Sequence, residues 1–226
     1  MPISETNAKG VLLLSQERFE DAARTFRAGL SDLHSLLLQN PPLVGCDMSQ
    51  EKPIRNLSGH YQVAPTDIVT TASANDCSSF LLYSKAFFVV PSMAAATERQ
   101  AIDEHLISAV FLYNLGLSFH LRGHAFAKSR STDHQRALYL YNMALKFFPA
   151  LLDRQGDTST LLQLAIWNNM ARIHLEHYDF EAFETRISWM DEQLQESLGN
   201  ERDYGFFVLN LAVLDPSTCF CLAAAA

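Results

Sequence analysis

The 226-residue chain has little of what most enzymes and nucleic-acid binders display. There are four cysteines, Cys46, Cys77, Cys219 and Cys221. None forms a CxxC pair, and no Cys/His array has zinc-finger spacing. No run of Lys or Arg exists and the net charge is −8, so the basic face a duplex binder needs is missing. The opening residues, MPISETNAKG, lack the basic and apolar regions of a signal peptide. The longest apolar run, near FFVLNLAVL, is too short to span a bilayer. It also has no Lys or Arg for an interfacial helix. These absences predict an intracellular, reduced protein, cytoplasmic or nuclear, that binds neither nucleic acid nor membrane. The sequon Asn56-Leu57-Ser58 carries no weight without an export signal. GxSxG, a P-loop, GxGxxG and HExxH are all lacking, so no catalytic residue and no cofactor is expected.

Glycine and proline are also few, 9 and 8, and their placement punctuates a helical chain. Residues 5 to 16 carry helical apolar spacing through Val11, Leu12 and Leu14. ERFEDAARTFRAGLSDLHSLLLQ follows with Phe19, Ala22, Ala23, Phe26, Leu30, Leu33 and Leu37 at three- and four-residue steps, and Asn40-Pro41-Pro42 ends it. Residues 1 to 40 thus read as one helical hairpin. Residues 41 to 96 read as an irregular insertion, dense in turn formers. Within it, FLLYSKAFFVVP (80 to 91) suits either a strand paired with the upstream TDIVTT or a short helix. Residues 97 to 200 predict two further hairpins. Their helices run from about Thr97 to Arg122, Asp133 to Phe148, Thr158 to Glu176 and Asp179 to Leu198. Pro149 and Gly199-Asn200 serve as stops. Residues 201 to 226 read as an apolar cap on the same domain.

Gly116 stands inside the helix FLYNLGLSFHLRG, where glycine costs about 1 kcal/mol relative to alanine. Its surroundings, Leu112-x2-Leu115-Gly116-x2-Phe119, then Ala137-x3-Tyr141, Ala144 and Pro149, resemble the tetratricopeptide repeat. Gly10, Ala22 and Phe26 match the same pattern at the family spacing of twelve between Gly and Ala. Trp167-x2-Met170-Ala171-x2-His174 begins a third unit, whose Ala182 is one residue out of register. Between Gly116 and Ala137 the spacing is nine residues longer, an excess assigned to the turn HAFAKSRSTDHQ. The resemblance implies an all-α fold of hairpins stacked as a right-handed superhelix. Gly10, Ala22, Phe26, Gly116, Ala137, Tyr141, Ala144, Pro149, Trp167 and Ala171 would then be its packing residues. An unrelated helical bundle with small residues at its crossings is the alternative.

The resemblance also implies a concave groove for a protein or peptide. Inward positions carried over from the family are Ser4, Asn7, Val11 and Leu14, then Val110, Tyr113, Leu117 and His120, then Ala165, Asn168, Arg172 and Leu175. Asn7, Tyr113, Asn168 and Arg172 are the expected partner contacts, since Asn can bond a peptide backbone on both sides and Arg can grip a carboxylate. Ala165 and Asn169 stand where a carboxylate clamp of the chaperone-binding members needs basic residues, which argues against that ligand. The expected function is an interaction scaffold without catalysis. Two alternatives stand beside it. One is a metal or redox protein using His120/His124, His174/His177 or Cys219/Cys221. The other is a self-associating subunit, suggested by the tail and Phe206-Phe207. Occupation of the groove by the insertion is also open.

Overall fold

A computed structural model describes residues 1–39, 61–68, 80–91, 104–150, 157–196 and 201–214. Seven α-helices and one two-stranded antiparallel sheet make up the described residues. The helices are α1 (Ile3–Ser15), α2 (Phe19–Gln39), α3 (Glu104–Ala125), α4 (Arg130–Leu145), α5 (Asp157–Glu176), α6 (Phe180–Glu196) and α7 (Glu201–Leu214). The strands are β1 (Tyr61–Thr66) and β2 (Ala86–Pro91). A 3₁₀ turn at Phe148–Ala150, carrying Pro149, follows α4. The stops at Asn40 to Pro42 and at Gly199-Asn200, and all four cysteines, lie outside the described residues.

Helices α1/α2, α3/α4 and α5/α6 pack as antiparallel neighbours, and α2 also packs on α3. The first and third turns are built alike. After α1, Glu17 N–H donates to Leu14 O and Arg18 N–H to Leu13 O, both at 2.9 Å. After α5, Tyr178 N–H donates to Leu175 O and Asp179 N–H to His174 O, at 3.1 and 2.9 Å. Glu17 and Tyr178 take the left-handed conformation this helix end requires, with φ of 57° and 59°.

Small residues at the crossings answer the question of Gly116. A Cβ placed there would stand 2.8 Å from the Tyr141 ring of α4, and one on Gly10 would collide with the Phe26 ring of α2. In the third pair Ala171 clusters with Phe183. Each hairpin therefore seats an aromatic ring of its second helix on a small residue of its first. That close approach outweighs the propensity cost of glycine.

Of the two readings of residues 80–91 the strand holds, β1 and β2 pairing over Tyr61↔Pro91 to Thr66↔Ala86, but its expected partner and the expected loop after Gly116 are corrected. Strand β1 precedes TDIVTT and shares only Thr66 with it. The nine residues by which the Gly116–Ala137 spacing exceeds Gly10–Ala22 do not form a loop either. Only residues 126–129 separate α3 from α4, so the excess lengthens both helices. The Arg122 guanidinium ties the lengthened helices together, donating to Asp133 Oδ2 at 2.9 Å and Oδ1 at 2.5 Å.

Candidate binding face

Helices α1, α3, α5 and α7 line one face of the molecule, and residues 80–91 lie along it in extended form. The asparagines of these helices hold that segment by its backbone. Asn210 Oδ1 accepts from Leu81 N–H at 3.1 Å, and its Nδ2 donates to Leu81 O at 2.8 Å. Asn169 makes the same pair with Tyr83, both at 3.0 Å. Asn114 makes it with Phe87, at 3.0 and 2.8 Å. Asn7 Oδ1 accepts from Val89 N–H at 2.9 Å. The bonded residues alternate because successive backbone amides of an extended chain point to opposite sides. The other edge of β2 is thereby free to pair with β1. The segment runs from α7 and α5 toward α1, against the order of the helices.

Side chains of the segment fill the spaces between helices. Phe80 meets Phe183 edge-on at 5.5 Å, Tyr83 stacks on Phe207 at 4.9 Å, and Phe87 meets Tyr113 edge-on at 5.2 Å. Phe80, Tyr83, Phe87 and Val89 are buried, as are all five asparagines Asn7, Asn114, Asn168, Asn169 and Asn210. An unpaired buried amide costs several kcal/mol, and both ends of the Asn114, Asn168, Asn169 and Asn210 amides are met, whereas Asn7 is met only at its Oδ1.

All four residues expected to contact a partner meet this internal segment. Asn7 bonds Val89 as described. The Tyr113 hydroxyl donates to Lys85 O at 2.9 Å and lies 3.3 Å from Tyr83 O. Asn168 Nδ2 donates to Leu81 O at 3.0 Å, and its Oδ1 accepts from Asn210 Nδ2 at 2.7 Å. Arg172 donates through Nη1 to Phe80 O and through Nε to Glu176 Oε1. Of the other inward positions, Ser4, Val11, Leu14, Val110, Leu117 and Ala165 are buried. Leu175 packs on Ala171 and Phe183.

The residues the sequence reading missed are Asn114, Asn169 and Asn210, which make the paired backbone bonds. The signal was available: each is a strongly polar, weakly helix-forming residue in the middle of an apolar helix. Phe206 and Phe207, read as a sign of self-association, both pack on Tyr83 within the chain. The histidine pairs are also redrawn. His120 and His124 stack at 5.1 Å, but His174 and His177 part company. His174 Nδ1 lies 3.0 Å from Asp179 Oδ2, while His177 joins His134 of α4. No described helix is long and apolar enough to cross a membrane. No protein-family model, curated protein or solved structure matches the chain.

Proposed function

We propose that this chain is a divergent tetratricopeptide-like scaffold whose inner face takes an extended peptide by its backbone, with no chemistry of its own. The observation that carries this reading is the row of asparagines on α1, α3, α5 and α7, each bonded to the main chain of one extended segment. Main-chain recognition by paired amides is largely indifferent to side-chain sequence, and the aromatic pockets add selectivity. Residues 80–91 act in this reading as the resident occupant, standing in for a partner's segment of similar form: extended, rich in aromatic residues and without acidic ones.

Binding of a labelled peptide that copies residues 80–91, carrying extra lysines for solubility, tests the reading. The Phe87→Ala/Val89→Ala chain, whose own segment is weakened, should bind the peptide saturably. Wild type should bind it more weakly. Adding Asn114→Ala and Asn169→Ala to the weakened chain should abolish binding. Absence of binding in the weakened chain, with its helicity intact by circular dichroism, would make the segment a permanent part of the core.

A further inference from the structure

Four histidines gather where the lengthened ends of α3 and α4 meet the end of α5. Ring centroids are 5.3 Å apart for His120–His134, 5.5 Å for His124–His134 and 5.3 Å for His134–His177. His120 and His134 are fully buried, His124 partly so. Burying imidazole nitrogens away from water is unfavourable unless something meets them. One nitrogen of each fully buried ring is met. His120 Nδ1 lies 3.4 Å from the Tyr141 hydroxyl, and His134 Nδ1 lies 3.1 Å from His177 Nε2. The Nε2 atoms of His120 and His134 have no hydrogen-bond partner among the described residues. Gly123 makes room for one of them, since a Cβ there would stand 2.8 Å from His134 Nε2. One ligand atom each from His120, His124 and His134 lies within 4.8 Å of the others.

We propose that His120, His124 and His134 form a binding site for one divalent transition metal of the zinc type. Ligating histidines commonly have their other ring nitrogen tied down, which fixes the tautomer and aims the ligand atom. Tyr141 and His177 do this for His120 and His134. A metal also needs neutral imidazole. Burial, reinforced by the neighbouring histidines, pushes His120 well below the usual histidine range. Burial likewise pushes His134 down to about 4, against the opposing pull of Glu176.

Zinc–nitrogen bonds of about 2.1 Å put tetrahedral nitrogens roughly 3.4 Å apart. The cation therefore draws the three rings inward. Glu176 supplies negative charge at the rim. Its Oε1 lies 3.3 Å from His124 Nε2 and its Oε2 3.7 Å from His134 Nδ1. Arg172 Nε holds that carboxylate at 2.6 Å. Imidazoles with one carboxylate suit zinc, cobalt, nickel or copper better than magnesium or calcium.

The test uses the untagged full chain, reduced and stripped with chelator, titrated with Co²⁺ and then Zn²⁺. One equivalent of Co²⁺ per chain should bind, with the intense visible bands of a four-coordinate site of three nitrogens and one oxygen. Zn²⁺ should displace it, and Mg²⁺ should not. His124→Ala, at the half-buried rim, should weaken binding by at least about tenfold. His34→Ala, exposed on α2, should leave it unchanged. The wild-type stoichiometry and spectrum decide even if a variant folds poorly. Absence of stoichiometric uptake, a spectrum with thiolate charge transfer, or equal affinity in His124→Ala would overturn the proposal.

Discussion

Asparagine is a poor helix former because its amide competes for nearby backbone groups. In α1, α3, α5 and α7 that amide instead bonds another stretch of chain, and tertiary contacts offset the local cost. Removing Asn114 strips the Phe87 N–H and C=O of their partners at a fully buried position. Asn114→Ala should destabilise the protein by about 2–3 kcal/mol in urea unfolding. Asn142→Ala, whose exposed amide only donates to Leu138 O within α4, should stay within about 0.5 kcal/mol of wild type. Histidine burial adds a pH dependence in the metal-free chain. His134 sits among His124, His177, Glu176 and Arg130, with its folded pKa pushed down to about 4 by burial. The unfolded chain, with an ordinary value near 6.5, therefore takes up the proton first. Stability of the chelator-treated protein should be flat above about pH 7 and fall between about pH 6.5 and 4. Urea midpoints across that range check it.

Among the elements, the α3/α4 hairpin departs from its neighbours by being longer on both sides of its turn. The added turns carry the Arg122–Asp133 pair and His124, with His120 and His134 just inside them. Burial pushes the Asp133 carboxyl up, but hydrogen bonds from Arg122 and Ser129 outweigh it and hold the group below the ordinary carboxylate range. Asp133→Ala should destabilise the chain by about 2 kcal/mol, less than a wholly buried pair would lose because Arg122 keeps some water and Glu20 lies 3.8 Å away. Thermal or urea unfolding measures the loss. This lengthening explains why the hairpin was misread in the sequence. Ser, Thr, Asp and Gly around Gly123 and Ser129 signal a turn, and nothing in a single sequence shows that Arg122 will reach Asp133. Helix positions were legible because apolar residues recur at three- and four-residue steps. Gly10 and Gly116 were legible as crossing points because glycine inside a helix needs a reason.

At the scale of the molecule, α3 and α5 are buried on nearly every side, while α1, α2, α4 and α6 keep a solvent face. The inner helices are covered twice, by their own hairpin partners and by residues 80–91. That second cover was a possibility the sequence left open and could not decide. The turn-rich insertion has no periodicity, and an extended segment satisfied by side-chain amides leaves no pattern of its own. The inner-face positions transferred from the repeat family picked out Tyr113 and Asn168. The asparagines that make the paired bonds in α3 and α5 stand one residue later, at Asn114 and Asn169. Of the histidine cluster the sequence offered only the pair His120 and His124, since His134 arrives from a different helix.

The measurement that tests the central claim most directly is amide hydrogen exchange, read residue by residue by NMR, in wild type and Asn169→Ala. Leu81, Tyr83, Phe87 and Val89 donate to asparagine side chains and should be strongly protected in wild type. In Asn169→Ala, protection at Tyr83 should be lost while the α3 amides stay protected. Exchange of these four amides at the rate of an unstructured chain, in a wild-type protein whose helices remain protected, would contradict the account.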